Sequence, residues 1–213
     1  MATKRSKKQP GPPFPQAERP REEAIIRIIG GQFRGRKLLY SGDERTRPMK
    51  DRVRESLFNL IGPQVKGMHA LDLFAGTGAL GLEAVSRGAA RASLIECHHP
   101  TAQLIRRNVE ALNAEDRCET FGADAFLWLK CHPPATDLPW LVLCSPPFDF
   151  YLSRGKDMLK LIADFIEHAP AGSLIVAEVP DTFDVAMLPD AAAWNTRAYP
   201  PVQLALYRKS SPH

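Results

Sequence analysis

The stretch His69-Ala-Leu-Asp-Leu-Phe-Ala-Gly-Thr-Gly-Ala-Leu-Gly81 decides the fold. Ala70, Leu71, Leu73 and Phe74 form a short apolar run that reads as a buried strand. The run breaks into Gly76 and Gly78, restarts with helical spacing at Leu80, Ala84 and Val85, and stops at Gly88. Strand, glycine turn and helix in this order build a nucleotide-type cofactor site. Glycines let backbone N–H groups approach a ligand closely, and the positive end of the new helix points the same way.

Working outward, the same alternation continues to the C-terminus. Residues 92–96 predict a second strand, and Pro100 opens a helix running to about Leu112. A weaker third strand at 118–122 leads through Ala123-Asp124-Ala125 into a short helix ending near Lys130. Residues 140–144 predict a fourth strand that runs into Ser145-Pro146-Pro147-Phe148. Met158, Leu161, Ile162, Phe165 and Ile166 mark another helix, and Leu174–Val179 a fifth strand. Residues 194–199 and 202–208 are two last strands joined at Pro200-Pro201. Strands alternating with helices imply an α/β fold whose parallel sheet is covered on both faces.

Upstream of the glycine motif the chain is strongly basic. The net charge of +4 combines +3 over residues 1–23 and +6 over residues 24–54 with −5 over residues 55–213. Positive charge gathered in one quarter of a chain points to an anionic partner, most simply nucleic acid. Ile25, Ile26, Ile28 and Ile29, Gly30-Gly31 and then Gln32–Leu39, broken at Gly35, predict a short β-hairpin with basic side chains outward. A helix is expected from Thr46, with Pro48 in its first turn and Gly62 at its end. Val53, Leu57, Leu60 and Ile61 form its apolar stripe, with Arg47, Lys50, Arg52 and Arg54 on the opposite face. Residues 1–23 read as a disordered basic tail, since Gly11-Pro-Pro-Phe-Pro15 has linker composition.

Several classes are disfavoured. The chain has no apolar run near the ~20 residues that a membrane span needs, and no signal-peptide-like start. Its four cysteines, at 97, 118, 131 and 144, lack a Cys-x-x-Cys pair and read as free thiols in a reducing compartment, which makes the cytoplasm the expected location. His98 and His99 follow Cys97, but adjacent residues at a helix start do not converge on one ion, so no metal is expected.

Gly76-x-Gly78-x-x-Gly81 matches the dinucleotide fingerprint, and Glu96 lies where a ribose-binding acid belongs. The pattern serves NAD, flavin and S-adenosylmethionine proteins alike. Asp72, four residues before Gly76, would crowd a pyrophosphate yet suits a cationic or hydroxylated ligand. The alternative is that it caps the glycine turn. Asp124 suits the adenine amino group, or alternatively the N-cap of the helix that follows. Ser145-Pro146-Pro147-Phe148 has no role in hydride transfer. Placed at the carboxyl edge of a central strand, it suits methyl transfer to an exocyclic amine. The Ser145 hydroxyl and Pro146 carbonyl would accept the amine protons, and Phe148 would stack on the base. Such a base must be unpaired or flipped out.

The sequence resembles the bacterial small-subunit ribosomal RNA methyltransferases that act on guanine N2, the RsmD family. The matching stretches begin with Arg27-Ile-Ile-Gly-Gly-Gln-Phe-Arg-Gly-Arg-Lys-Leu38 and with Arg47-Pro48 followed by Asp51-Arg-Val-Arg-Glu-Ser-Leu-Phe-Asn59. They continue with Asp72-Leu-Phe-Ala-Gly-Thr-Gly-Ala-Leu-Gly81, Leu94-Ile-Glu96 and Pro146-Pro-Phe148. The resemblance implies a Rossmann-like S-adenosylmethionine-dependent methyltransferase fold. Its seven-stranded, mostly parallel sheet has the last strand antiparallel, and an N-terminal β-hairpin is added. Residues 24–62 are then the RNA-contacting extension and 63–213 the methyltransferase domain. The implied cofactor contacts are Asp72, Phe74, Ala75, Gly76, Gly78, Glu96, Asp124 and Ala125. The implied RNA contacts are Arg27, Arg34, Arg36, Lys37, Arg47 and Arg52, the partner is the small ribosomal subunit with its 16S RNA, and the protein is expected to be a monomer.

One departure concerns chemistry. The family's strand-four motif begins with Asp, where this chain has Ser145. A carboxylate accepts hydrogen bonds more strongly than a hydroxyl. Ser-Pro-Pro-Phe is nevertheless compatible with amino methylation, being a form used on cytosine in DNA, and Asp149 is one candidate for the missing carboxylate. Alternatives are a ribosome-assembly factor that kept the fold and lost the chemistry, cytosine as the target base, and an NAD-dependent oxidoreductase.

Overall fold

The computed structural model describes residues 26–42 and 48–210. The expected tail 1–23 and Arg47 lie outside them. Seven strands make the central sheet: β3 (His69–Asp72), β4 (Arg91–Ile95), β5 (Cys118–Phe121), β6 (Trp140–Cys144), β7 (Leu174–Pro180), β8 (Trp194–Tyr199) and β9 (Val202–Arg208). Their spatial order is β5-β4-β3-β6-β7-β9-β8. The first five are parallel, while β9 runs antiparallel between β7 and β8. The order reverses between β4–β3 and β3–β6, which opens a crevice at the carboxyl ends of those strands.

The strands read as continuous apolar runs because both faces are covered. Along β6, Leu141 and Leu143 point into one core, and Trp140, Val142 and Cys144 into the other. The first core is closed by α2 (Ala79–Ser86) and α3 (His99–Ala111), and the second by α4 (Ala125–Cys131) and α6 (Gly155–His168). A four-residue helix α5 (Phe150–Ser153), which no periodicity predicted, follows the Ser-Pro-Pro-Phe turn. Pro147 O accepts the Phe150 N–H and so starts it.

The N-terminal element differs from its expectation in three ways. The hairpin strands are two residues each, β1 (Ile26–Arg27) and β2 (Lys37–Leu38). Ile28 N still donates to Arg36 O and Gly35 N to Ile28 O, but the donors of Ile29, Gly30, Gln32 and Phe33 go to α2. Glu83 accepts from Ile29 N at 2.8 Å and Gly30 N at 2.7 Å, and Ser86 Oγ accepts from Phe33 N at 2.9 Å. Gly31, at φ 74°, lies so close to Ser86 that a Cβ there would meet the Ser86 carbonyl.

Secondly, helix α1 spans Asp51–Ile61 and does not begin at Thr46. Residues 48–50 are not helical, and Lys50 is extended (ψ 141°), its carbonyl accepting from Val53 N and Arg54 N. Asp51 then places a carboxylate in the first turn, where the helix dipole favours it. Thirdly, Arg54 is not on the solvent face. It is 1% exposed and donates to Arg27 O at 2.6 Å and Asp51 Oδ1 at 2.9 Å, with Glu83 3.8 Å away. Val53, Leu57, Phe58 and Ile61 join Ile26, Ile28 and Leu38 in the first core. From Leu38 the chain returns to the glycine turn: Asn108 on α3 accepts from Leu39 N and donates to Leu39 O and Thr77 O.

Candidate active site

The crevice is built from the ends of five strands. After β3 the backbone turns through Gly76 (φ 53°) and Gly78 (φ 79°), left-handed conformations that glycine adopts at little cost. Gly78 is the N-cap of α2. Gly81 has a different reason: a Cβ there would come within 2.2 Å of Leu94, so its absence lets α2 lie on the sheet.

Two carboxylates organise this turn. Asp72, fully buried at the end of β3, accepts from Gly81 N at 2.9 Å through Oδ2. Its Oδ1 is buried without a hydrogen-bond partner. Burial pushes the Asp72 carboxyl up to about 7; the Gly81 N–H opposes this and the nearby Glu96 adds to it. Glu96, just past β4, accepts from Gly76 N at 3.0 Å and from His98 N at 2.8 Å. The turn is thus fixed to the neighbouring strand by an acid with lone pairs still to offer.

Asp124 is the N-cap of α4, accepting from Phe126 N at 2.9 Å. Ala75 and Ala125 are buried beside the two turns. Phe74, Phe126 and Phe150 form an aromatic cluster, with Phe74 edge-on to both others at about 6 Å. The Arg154 guanidinium lies 3.8 Å from the Phe126 ring centroid. A cavity of about 360 Å³ opens nearby, lined by Ser41, Gly42 and the start of α3. Among the described residues no group of three His, Cys, Asp or Glu could hold a metal.

Ser145, Pro146, Pro147 and Phe148 leave β6 at the same edge. Phe148 is half-buried against the first core, the one shared with the N-terminal element. Asp149 is exposed and makes no cap with its side chain, so it does not stand in for a motif carboxylate. The carboxylate that meets Ser145 is Glu178 on β7, which accepts the Ser145 hydroxyl proton on Oε2. Sequence reasoning passes over Glu178 as part of a strand. Its signal is an acid in the otherwise apolar run Leu174–Pro180, every other residue of which could pack.

The structure therefore gathers Asp72, Gly76, Gly78, Glu96, Asp124 and the Ser145–Phe148 turn at one sheet edge. Arg27, Arg34, Arg36, Lys37 and Arg52 are exposed on the N-terminal element. A second cavity, of about 370 Å³, lies around the amino ends of β3, β4 and β5, beside His69 and Arg91.

Comparisons with known proteins agree with this architecture. The chain is 46% identical over 124 residues to an Escherichia coli protein named ribosomal RNA small subunit methyltransferase D; the match covers 58% of this chain and 60% of that one. The solved structure of the Escherichia coli protein yhhF superposes with a TM-score of 0.69 at 32% identity, covering 88% of this chain and 99% of that one. A Thermus thermophilus 16S rRNA N2 methyltransferase, solved with AdoMet and guanosine, superposes with a TM-score of 0.66 over 87% of this chain and 49% of its own. At 17% identity that last likeness is one of fold. The family described as Conserved hypothetical protein 95 matches residues 26–208, and the chain belongs to it.

Proposed function

We propose that this protein is an S-adenosylmethionine-dependent RNA methyltransferase acting on the exocyclic N2 amine of a guanine in small-subunit ribosomal RNA. The observation that carries the reading is the adjacency of the acid-organised glycine turn and the Ser145–Phe148 turn at one sheet edge. The fold alone supports no single chemistry. The site narrows it, and the name of the Escherichia coli relative supports the ribosomal substrate.

The site suits the cofactor on three counts. The unpartnered Asp72 Oδ1 is an orphaned buried acceptor at the turn. Glu96 is held rigid with spare acceptor capacity for ribose hydroxyls. The buried carboxyl of Asp72 at the turn would crowd a pyrophosphate, while a sulfonium and an amino group suit it. Gly76, Gly78, Phe74 and Ala75 would line the methionyl part, and Asp124 and Ala125 the adenine. When bound, the cofactor supplies an electrophilic methyl group and departs as a neutral thioether.

The chain's own residues then act on the target base. Ser145 Oγ and the Pro146 carbonyl accept from the amine N–H groups, which frees the nitrogen lone pair from the ring. Phe148 holds the base by stacking. Acceptors fixed before the reaction stabilise the positive charge that develops on nitrogen. Arg34, Arg36, Lys37 and Arg52 hold RNA phosphates, so binding weakens steeply with salt.

The experiment is transfer of labelled methyl from S-adenosylmethionine to small ribosomal subunits from cells lacking this protein, with free RNA and DNA alongside. The expected result is label on guanine N2 of the subunit RNA. Label on cytosine or DNA would move the substrate, and cofactor binding with no label would refute the activity.

A further inference from the structure

A serine hydroxyl has one proton, and where it points decides what the group offers a ligand. Here the proton is committed. Ser145 Oγ donates to Glu178 Oε2, on the next strand. The β6–β7 register pairs Cys144 with Ala177, so the strand pairing sets the following residues, Ser145 and Glu178, side by side. With its proton engaged, the hydroxyl presents only lone pairs to the cleft. Glu178 is itself buried, on a strand where an apolar residue would be cheaper.

We propose that Glu178 is the positioning residue of methyl transfer: it holds Ser145 as a pure acceptor toward the base amine and receives, through Ser145 Oγ, the proton that the amine sheds. The proposal rests on the amine-methylation reading above. The two side chains together do what a single carboxylate would do at the head of the Ser145–Phe148 turn.

The proton step balances. When the amine nitrogen bonds to the methyl carbon it acquires the positive charge that the donor loses. Its N–H bonding pair returns to nitrogen as the proton moves to Ser145 Oγ, and the Oγ–H proton moves to Glu178 Oε2. The product amine and the serine are neutral, and the protonated carboxyl returns its proton to water as product leaves. Burial raises the Glu178 carboxyl above the usual range, while the Ser145 hydrogen bond pulls it down. A raised pKa makes a better base at neutral pH than an exposed glutamate. The groups packed on Glu178 add no competing charge there. Cys144 on β6 is pushed up to about 12, Tyr151 on α5 lies well above the usual tyrosine range, and the residue opposite on β9 is Leu204.

The test uses the full chain, S-adenosylmethionine and small subunits lacking the modification. Glu178→Gln should slow single-turnover transfer about 100-fold and, at saturating cofactor so that Asp72 does not contribute, remove the acid limb of the pH–rate profile, with cofactor and RNA affinities kept. Ser145→Asp added to Glu178→Gln should restore most of the rate, because it returns a carboxylate to the cleft. A readout independent of turnover is the carboxyl carbon of Glu178 followed by NMR. Its titration should move upward in Ser145→Ala, since the lost bond favoured the ionised form. A Glu178→Gln rate within about threefold of wild type with the same pH profile would overturn the relay. So would a Glu178 titration indifferent to Ser145→Ala. Cofactor-bound wild type that transfers no label defeats the methylation reading first and the relay with it.

Discussion

Arg52 and Arg54 stand two residues apart on one helix and meet opposite fates. Arg52 is exposed, while Arg54 is buried against Glu83, Asp51 and the Arg27 carbonyl. The same division runs through the whole N-terminal element. Its inner face meets the protein's own charge: Glu83 of α2, fully buried, binds Ile29 N, Gly30 N and Arg87 and sits beside Arg54. Its outer face, with Arg34, Arg36, Lys37 and Arg52, holds its charge out to solvent. Charge counted along the sequence cannot separate the two. What separates them is whether the fold supplies the charge with a buried partner.

The sharpest way to break this comparison is Glu83→Ala. It leaves two backbone N–H groups and the Arg87 guanidinium without their acceptor and removes the counter-charge beside buried Arg54, and removing one partner of a buried pair costs about 3–5 kcal/mol. Denaturant unfolding should show that loss. A cost no larger than that of a surface substitution would mean the inner face is not held by this network.

Asp72 is an intermediate case, buried like Glu83 but with one oxygen lacking a partner. Its folded pKa of about 7 lies above the unfolded value. Folding therefore takes up a proton between the two pKa values, and the stabilisation is complete below about pH 4 and lost as pH rises to about 7. Stability of the ligand-free protein, followed by thermal melts, should fall over that window by up to a few kcal/mol, since each tenfold change in proton affinity is worth about 1.4 kcal/mol. Glu178 contributes with the same sign, so the Asp72 share is read as the difference from Asp72→Asn, which lacks it. Equal slopes in the two proteins would place the titration elsewhere. Added S-adenosylmethionine should flatten the wild-type slope if the ionised form binds it.

Much of the fold is legible in the sequence. Strands β3, β4, β6 and β7 stood out because both of their faces are buried, and the glycine motif because its positive φ angles and the Gly81 contact demand glycine. Arg54 was misplaced for an identifiable reason. A stripe of Val53, Leu57, Leu60 and Ile61 leaves out Phe58, which stands four residues after Arg54 and, with Ile61 at seven, shares its side of the helix. The hairpin strands are shorter than the apolar pattern suggests because the donors of Ile29, Gly30 and Phe33 go to Glu83 and Ser86, more than fifty residues away. Glu178 stayed hidden for a similar reason. Its partner is 33 residues distant in sequence, and only the strand register brings the two together.

On the outer face, Arg34→Ala, Arg36→Ala and Lys37→Ala combined should leave stability within about 0.5 kcal/mol per site, as surface substitutions generally do. Affinity for small-subunit RNA should drop, and the slope of log K against log salt should shrink by about two if each side chain neutralises one phosphate. Arg36 also donates to the Ala111 carbonyl, so its share of the slope should be the smallest of the three. Parallel losses of cofactor binding and RNA binding would move the hairpin's outer face into the same class as its inner one.

Arg27 should give the smallest effect, and it tests the division within a single residue. Its side chain is exposed and pairs with Asp51 at 3.3 Å, an arrangement worth less than about 1 kcal/mol. Its backbone carbonyl, however, is what Arg54 binds. Arg27→Ala keeps that carbonyl and the Arg54–Asp51 pair, so stability should change by no more than about 0.5 kcal/mol. If the side chain reaches a phosphate, the salt slope should still fall by less than about one. A large loss of stability instead would show that the outer charge of Arg27 supports the inner network. The boundary between the two faces would then pass through Asp51, which holds both Arg27 and Arg54, rather than along the surface of α1.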